Sequence, residues 1–270
     1  MDRGAGLRAT SLLRLLRSRQ LSALGFKHGF TTRAGGVSEP PFDTLDFAIL
    51  RTPELRRENE RRLGEAVGFV GSKLHHARQV HGREVVVADG NVEGMLAVEA
   101  DAVVAEPSSG FAVAARVADC GPVLVADPST GRVAAIHAGW PGVVAGVVPA
   151  AIERLVSANG AGKASGFVAA IGPCIGSCCF EVGDDVCAKI VGVSSNAVVV
   201  RREVERQKAW VDLRRSIRIQ LVTAGLADAS IDDVPGKGSE SCTVCNATSF
   251  YSYRRDGDAS GRQLGVIVPR

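Results

Sequence analysis

Apolar and polar positions along the chain follow two different periods, which indicates a protein of mixed helices and strands. The segment after Thr52 favours a helix from Pro53 to about residue 70, because threonine caps helices and proline suits the first turn. A helical pattern also follows Trp140, and strand–helix alternation continues to Val266. Short valine-rich runs of strand length lie between these helices, at residues 84–88, 101–105, 111–117, 121–126 and 132–138. The pattern therefore predicts an α/β or α+β fold built on at least one sheet.

The two last strand runs are joined by turn chemistry, the sequence DPSTG at residues 127–131, which predicts a hairpin. If the turn is centred between the third and fourth of these residues, Pro122 lies opposite His137 and Cys120 opposite Gly139. Cys120 and His137 are then diagonal neighbours on one face, with Cα atoms about 7–8 Å apart. A bulge of one residue would undo this register.

The N-terminal segment, residues 1–24, is rich in arginine and carries one acid, Asp2. It can be interpreted as a transit peptide or as an amphipathic first helix with a partial leucine stripe, and we favour the helix. No Pro/Gly/Ser-rich linker divides the chain, so we predict a helical extension over 1–24 and a single catalytic domain over 25–270. The longest apolar runs, 111–126 and 140–152, are interrupted and shorter than the about 20 residues of a membrane span.

Composition narrows the function classes. The chain has 270 residues, 46% of them hydrophobic, and a formal charge of +3 without a Lys/Arg run that carries aromatics, which argues against nucleic-acid binding. Seven cysteines without regular spacing or a secretory signal indicate a reducing compartment, so we expect a cytoplasmic protein with free thiols.

Among five histidines and seven cysteines, three residues stand at strand ends beside glycine: His81, Cys120 and His137. Two imidazoles and one thiolate suit zinc, and three protein ligands leave a fourth position for water, as in catalytic sites. A zinc ion there would lower the pKa of that water toward about 7. Spacing alone favours the interpretation that these are scattered structural residues, and the hairpin register shifts that balance only modestly toward a site.

Other uses of the thiols also remain open. Cys120 could be a catalytic nucleophile with His137 or His81 as its base, and metal content would separate this reading from the zinc site. The sequence CTVC at 242–245 is half of a zinc-ribbon pattern. Its other half would have to come from Cys174, Cys178, Cys179 or Cys187, and without a second clean pair we expect ordinary buried thiols.

Two arginine positions could bind a phosphate or carboxylate, namely Arg33 and the pair Arg254–Arg255. The pattern by itself favours ordinary solvated surface residues at these positions. A P-loop or dinucleotide fingerprint is absent from the sequence.

A series of motifs across residues 25–266 resembles one known family. That family is named both multicopper polyphenol oxidoreductase (laccase) and purine nucleoside phosphorylase-like, and its bacterial members include a peptidoglycan editing factor. The motifs that carry the resemblance are HGFTTRAGGVS (28–38), QVHG (79–82), ADCGPVL (118–124), AIHAGW (135–140), IGPCIG (171–176), FEVG (180–183), CTVC (242–245) and SYRR (252–255).

The resemblance implies a single-domain α+β fold, a four-layer α/β/β/α sandwich, with zinc on His81, Cys120 and His137. It implies phosphorolysis of adenosine, inosine and methylthioadenosine, and deamination of adenosine by zinc-activated water that attacks C6. The expected partners are small-molecule nucleosides and phosphate. Arg33 is the first candidate to bind phosphate and Arg254 the second.

One departure bears on this expectation: the family usually has arginine where this chain has Pro141. If that arginine binds phosphate, phosphorolysis is weak here and hydrolysis survives. Alternatives are an amide hydrolase that edits a cell-wall precursor with the same zinc, and a non-catalytic binding protein, against which the intact ligand set argues. Five histidines are too few for multicopper chemistry, although copper can replace zinc at the triad and oxidise phenols slowly.

Overall fold

The computed structural model describes residues 13–49, 52–107, 109–157, 163–236 and 238–270. The helices are α1 (Arg19–Ala23), α2 (Pro53–Val67), α3 (Val92–Met95), α4 (Trp140–Ala145), α5 (Val147–Ser157), α6 (Asp184–Gly192), α7 (Leu213–Thr223) and α8 (Tyr253–Asp256). The strands are β1 (Leu15–Leu16), β2 (His28–Thr31), β3 (Leu74–His75), β4 (Val85–Val87), β5 (Ala102–Ala105), β6 (Ala112–Val117), β7 (Gly121–Ala126), β8 (Val133–Ala138), β9 (Val168–Ile171), β10 (Glu181–Gly183), β11 (Val199–Glu203), β12 (Lys208–Val211), β13 (Ile231–Asp233) and β14 (Gln263–Ile267).

These strands form three sheets within the described residues. The largest has the order β13-β9-β7-β8-β5-β4, the second has the order β1-β2-β14-β6-β3, and a small one has the order β10-β12-β11. The six-stranded sheet is mixed, with parallel pairs at its two edges and antiparallel pairs in its centre. The fold is therefore a mixed α/β domain, as predicted.

The two larger sheets pack face to face because their strands are apolar on both sides. In β7, Val123 and Val125 face a cluster shared with α4, α5 and α7, whereas Leu124 and Ala126 face the second sheet. The far side of the second sheet contacts α2, with Leu63 in that cluster. This period-two alternation gives the order helix, sheet, sheet, helices, which is the layer order that the resemblance implies.

The predicted hairpin register is confirmed. Pro122 pairs with His137 and Gly121 with Ala138, so no bulge shifts the ladder between β7 and β8. Asp127 holds the turn through hydrogen bonds from Ser129. The strand end that carries His137 therefore lies beside Cys120.

The helix predicted from residue 53 begins there but ends at Val67 rather than about residue 70. Gly68 adopts φ +96°, a left-handed conformation that terminates helices. Thr52 occupies the cap position without a capping hydrogen bond from its side chain, so Pro53 rather than the threonine hydroxyl marks this start.

The described part of residues 1–24 corrects the prediction of one amphipathic helix. Leu15–Leu16 pair with β2 as an edge strand, and the helix is only Arg19–Ala23. Its cap, Ser18, donates to Asp232 at 2.5 Å, so this segment packs into the body of the domain rather than extending from it. Residues 1–12 lie outside the described residues. The helices of the described residues fall short of the length and hydropathy that a membrane crossing requires.

Candidate metal centre

The structure brings together the three predicted ligands His81, Cys120 and His137. One ligand atom from each lies within 4.8 Å of the others. Cys120 Sγ is 3.6 Å from His81 Nε2, and the two imidazole centroids are 4.7 Å apart. Three donors at these separations can contact one cation.

Two different features of the fold place the three ligands. His137 lies near the end of β8, and Cys120 directly precedes β7, so the hairpin register fixes their spacing. His81 lies in the loop before β4 with φ +60°, a conformation that is uncommon for a residue with a side chain. The ladder does not hold this loop, so another group must.

Asp101 is that group, and sequence analysis did not single it out. Its carboxylate accepts the backbone N–H groups of Val80, His81 and Gly82 at 3.2, 3.0 and 2.7 Å. Its Oδ1 also lies 2.7 Å from His137 Nδ1. One buried carboxylate therefore positions both histidines.

This contact sets the tautomer of His137. Burial by itself would raise the pKa of Asp101, but the hydrogen bonds from His137, Gly82 and Val80 lower it below its usual value. An ionised carboxylate only accepts, so Nδ1 of His137 carries the proton and Nε2 keeps its lone pair for a metal. Burial also lowers the pKa of His137, which keeps the imidazole neutral at physiological pH.

The donor set fits zinc better than it fits a free nucleophile. Burial, reinforced by the Asp119 carboxylate, raises the pKa of the Cys120 thiol to about 12. A thiol that stays protonated at neutral pH is a poor nucleophile, and it becomes a thiolate most readily beside a cation. Two imidazoles and one thiolate suit zinc as a catalytic ligand set. The structure thus favours the metal reading of Cys120 over the nucleophile reading.

Gly139 allows this convergence. A Cβ at position 139 would lie 2.6 Å from His81 Cδ2 and 2.9 Å from Cys120 Sγ, closer than side chains tolerate. The glycine beside Trp140 is therefore required by the close approach of two ligands.

We expect Gly139→Ala to lower the bound metal strongly while the chain still folds, because the added methyl group pushes His81 and Cys120 apart. Gly192→Ala is the matched control, since a Cβ there meets nothing within 4 Å. Elemental analysis and thermal unfolding of both variants measure the two effects. Full metal occupancy in Gly139→Ala would contradict this view of the site.

Asp119, beside Cys120, links the centre to distant loops. It has φ +89°, and its two carboxylate oxygens accept Thr243 Oγ1 at 2.5 Å and the backbone N–H of Arg254 at 2.6 Å. These bonds hold the peptide before Cys120 in its unusual conformation.

The triad lies on the wall of a cleft of about 760 Å³. Arg116 and Arg262 line this cleft, and sequence analysis had proposed neither. Burial and the neighbouring Arg56 lower the pKa of Arg116 to about 10, still charged at neutral pH. The other lining residues are Ala48, Ile49, Gln79, Ala118, Tyr253, Asp258 and Ser260.

The arginines proposed from sequence occupy other positions. The guanidinium of Arg33 binds the backbone carbonyls of Pro41, Asp43 and Ala247 and lies over the ring of Tyr251. Arg254 contacts the centre through its backbone bond to Asp119, whereas its guanidinium binds backbone carbonyls elsewhere. Neither side chain is among the residues that line the cleft, so a substrate role for them stays a prediction.

The remaining histidines lie apart from the triad. His28 is buried and bonds to the backbone of Phe26 and Ser18. His75 ends β3 of the second sheet, His76 follows it, and both are buried. In the described residues, the only other grouping able to hold a metal consists of cysteines. The described residues therefore contain no group of histidines that could bind a cluster of several coppers.

That second grouping corrects the expectation of ordinary buried thiols. The CTVC pair meets Cys178 and Cys179, and the ligand atoms of all four cysteines lie within 4.8 Å of one another. Cys178 and Cys245 are exposed, whereas Cys242 is buried.

Comparisons with known proteins give one consistent family. The family model described as "Multi-copper polyphenol oxidoreductase laccase" matches residues 27–270. A protein of Deinococcus radiodurans named purine nucleoside phosphorylase is 36% identical over 249 residues, covering 92% of this chain and 91% of its own length. The mouse protein named purine nucleoside phosphorylase LACC1 is 31% identical, and this chain spans 56% of its length.

Solved structures agree with the sequence matches. The crystal structure of YlmD from Geobacillus stearothermophilus aligns with a TM-score of 0.82 and 28% identity, covering 94% of each chain. A Bacillus licheniformis protein, YfiH, aligns with a TM-score of 0.84 and 27% identity over 98% of each chain. These values confirm the fold.

Proposed function

We propose, from the premise that this chain belongs to the multi-copper polyphenol oxidoreductase laccase family, that it is a zinc-dependent purine nucleoside phosphorylase. Relatives that match most of this chain carry the name purine nucleoside phosphorylase. The observation that carries the proposal is a metal triad and two arginines on the walls of one cleft. The expected substrates are adenosine, inosine and methylthioadenosine, with inorganic phosphate.

We assign phosphate binding in the cleft to Arg116 and Arg262. The two guanidiniums are close enough for the charge of Arg262 to lower the pKa of Arg116. A phosphate dianion bound between them relieves this repulsion and forms charge-assisted hydrogen bonds. In phosphorolysis an oxygen of this phosphate bonds to C1′ of the ribose, while the bond from C1′ to the purine breaks and its electron pair leaves with the base.

The remaining residues orient the nucleoside. Ala48, Ile49 and Ala118 give the cleft an apolar wall for a purine ring, and the Tyr253 ring lies half-exposed at its rim. The zinc ion, when bound, acts as a Lewis acid and activates water at neutral pH. Asp101 keeps the triad assembled by holding His137 and the loop of His81.

Adenosine deamination is the second reaction that we propose. A metal held by the triad would supply an activated water in the same cleft, and addition of water at C6 of the purine would break the bond to the 6-amino group, which would leave as ammonia. The residue at position 141, Pro141, bears on the balance between deamination and phosphorolysis. It occupies the first turn of α4, where proline is well tolerated, and it cannot bind phosphate as arginine does. We therefore expect hydrolysis to compete with phosphorolysis more strongly than in relatives with arginine at this position.

The runner-up function, hydrolysis of an amide in a cell-wall precursor, uses the same triad and would leave adenosine unchanged. Cysteines outside disulfides, among them the exposed Cys178 and Cys245, are compatible with the reducing cytoplasm that we propose as the location. Polyphenol oxidation needs more imidazoles than the triad offers, so copper is proposed only as a substitute for zinc.

Incubation of zinc-loaded protein with adenosine, with and without phosphate, tests the proposal. We expect ribose-1-phosphate and adenine when phosphate is present, and inosine in both reactions. Pro141→Arg should raise the ratio of ribose-1-phosphate to inosine several-fold. Liquid chromatography of the products measures both.

The outcomes separate the functions. Inosine alone identifies a deaminase and contradicts the phosphorylase. Absence of both products from zinc-loaded, folded protein refutes the nucleoside proposal and favours the amide hydrolase or a binding role. An unchanged product ratio in Pro141→Arg would show that position 141 does not control phosphate use.

A further inference from the structure

We propose that Cys178, Cys179, Cys242 and Cys245 bind a second zinc ion as a closed, structural tetrathiolate site. The site would crosslink the loop before β10 to the CTVC loop, and Cys179 and Cys245 lie 66 residues apart in sequence. This site is separate from the cleft of the triad and does not depend on the proposed reaction.

The sulfur positions match a tetrahedral ion. Cys245 Sγ lies 3.6 Å from Cys178 Sγ and 3.4 Å from Cys179 Sγ, and the four sulfurs are mutually within 4.8 Å. Four thiolates at the usual Zn–S distance of about 2.3 Å have sulfurs about 3.8 Å apart in a regular tetrahedron. Small movements of surface loops therefore suffice for all four sulfurs to contact one ion.

The backbone around the sulfurs is arranged as it is around metal-bound thiolates. The N–H of Gly176 donates to Cys242 Sγ at 3.2 Å, so the sulfur of this buried cysteine already accepts a backbone hydrogen bond. Hydrogen bonds to ligating sulfurs are a recurrent outer-shell feature of metal sites.

Gly176 also allows the two loops to meet. A Cβ at position 176 would lie 3.0 Å from Cys242 Cβ and 3.1 Å from Cys178 Sγ. The N–H groups of Cys179 and Phe180 both donate to the Gly176 carbonyl at 2.9 Å, which closes the turn that presents two adjacent cysteines to one point.

Neighbouring charges suit a site with four thiolates and one divalent ion, which carries a net charge of −2. The guanidinium of Arg255 binds the carbonyls of Thr243 and Val244 at 2.8 and 3.1 Å. The guanidinium of Arg254 binds the Cys179 carbonyl at 3.3 Å. Each loop of the cluster is thus held by a cation that offsets part of this charge.

The cluster connects physically to the triad. Thr243, inside the CTVC loop, donates to Asp119, which is adjacent to Cys120. An ion that fixes the CTVC loop therefore stabilises the conformation of a triad ligand without contacting substrate. We expect its loss to lower the melting temperature and to weaken zinc binding at the triad.

A disulfide is the competing use of these thiols. Sulfurs in a disulfide are about 2.05 Å apart, whereas all four cysteines here are free. A disulfide also explains only two sulfurs at a time, whereas here four converge. As each thiol binds the ion, its proton passes to solvent, so no oxidant is needed.

Elemental analysis of the full chain tests the site. Wild-type protein is expected to hold about two zinc ions per chain. His81→Ala/His137→Ala and, at saturating zinc, Cys178→Ser/Cys245→Ser should each hold about one. Cys187→Ala is the matched control, because this buried cysteine lies in α6 outside both clusters, and it should keep two.

Cobalt(II) replacement identifies the ligands of the remaining ion. The His81→Ala/His137→Ala variant loaded with cobalt should show the intense thiolate-to-metal absorption of a four-sulfur site, and Cys178→Ser/Cys245→Ser should lose it. One zinc per wild-type chain that disappears in His81→Ala/His137→Ala would overturn the proposal. The proposal would also be overturned if the unreduced, metal-free chain had a mass lower by two hydrogens than the all-thiol chain, because that difference reports a disulfide.

A measurement on wild-type protein covers the case in which the cysteine variant does not fold. Exposed thiols such as Cys178 and Cys245 normally react quickly with iodoacetamide. We expect mass spectrometry to find both protected until a chelator is added, with zinc released as they become reactive. Rapid alkylation of both before the chelator would refute the tetrathiolate site.

Discussion

Alanine at His81, Cys120 or His137 is expected to remove the zinc ion that we propose at the triad and to lower the proposed phosphorolysis and deamination at least a hundredfold. Loss of an outer-shell partner typically costs about 10–100-fold in metal affinity or activity, and loss of a direct ligand costs more. The three ligand atoms lie within 4.8 Å of one another, so each variant leaves only two donors. Elemental analysis and product assays on the single variants measure the two losses.

The tetrathiolate site must be counted separately in this experiment. If the tetrathiolate site is filled, wild-type protein holds about two zinc ions per chain and each triad variant about one. If that site is empty, wild-type protein holds about one zinc ion and each triad variant none. Cys187→Ala serves again as the control. If Cys120→Ser abolishes turnover while the amount of bound zinc is unchanged, Cys120 acts as a nucleophile and not as a metal ligand. Full zinc in all three variants would show that the triad does not bind the ion.

The hairpin of the triad could be predicted from sequence because its information is local. The turn DPSTG and two apolar strands fixed the register that pairs Pro122 with His137. The position of His81 beside Gly82 makes it a candidate, but its convergence with the hairpin rests on the resemblance to a known family, because no local pattern bridges that distance in sequence.

The N-terminal segment shows where local patterns fail. Leucines at 15 and 16 fit a helical stripe as well as an edge strand, and only pairing with β2 decides between them. The same limitation applies to the cysteine cluster. Nothing in the CTVC motif indicates that it meets Cys178 and Cys179, because that contact depends on how two loops pack across the domain.

Arg116 and Asp101 could have been recognised, since each is a charge inside or beside an apolar strand. Buried charges are costly unless they are paired or functional, so an arginine within 111–117 is a signal by itself. The glycine-rich context of Arg33 and the paired context of Arg254 point instead to those two arginines. Asp101 precedes β5, and only the non-local pairing of β5 with β8 brings it to His137.

Asp101 also has consequences for stability at low pH. Hydrogen bonds from His137, Gly82 and Val80 outweigh burial and lower its pKa. A carboxylate with a lowered pKa in the folded state stabilises the fold at every pH above its unfolded value of about 4. This contribution is lost as the pH falls below about 4 and the carboxylate takes up a proton.

Asp101→Asn is therefore expected to lower zinc affinity at the triad about 10–100-fold, with a matching loss of turnover at limiting zinc. The amide can donate to Nδ1 of His137 and so move the proton to Nε2, the atom that must face the ion.

Asp232→Asn is the control, because Asp232 also accepts several hydrogen bonds and has a lowered pKa, but it lies against Ser18 and Gln20. Zinc titration with a competing chelator should separate the two variants, and urea unfolding should show the stability deficit of Asp101→Asn shrinking below about pH 4. Equal zinc affinity in both variants would mean that the Asp101 carboxylate does not control how His81 and His137 meet the ion.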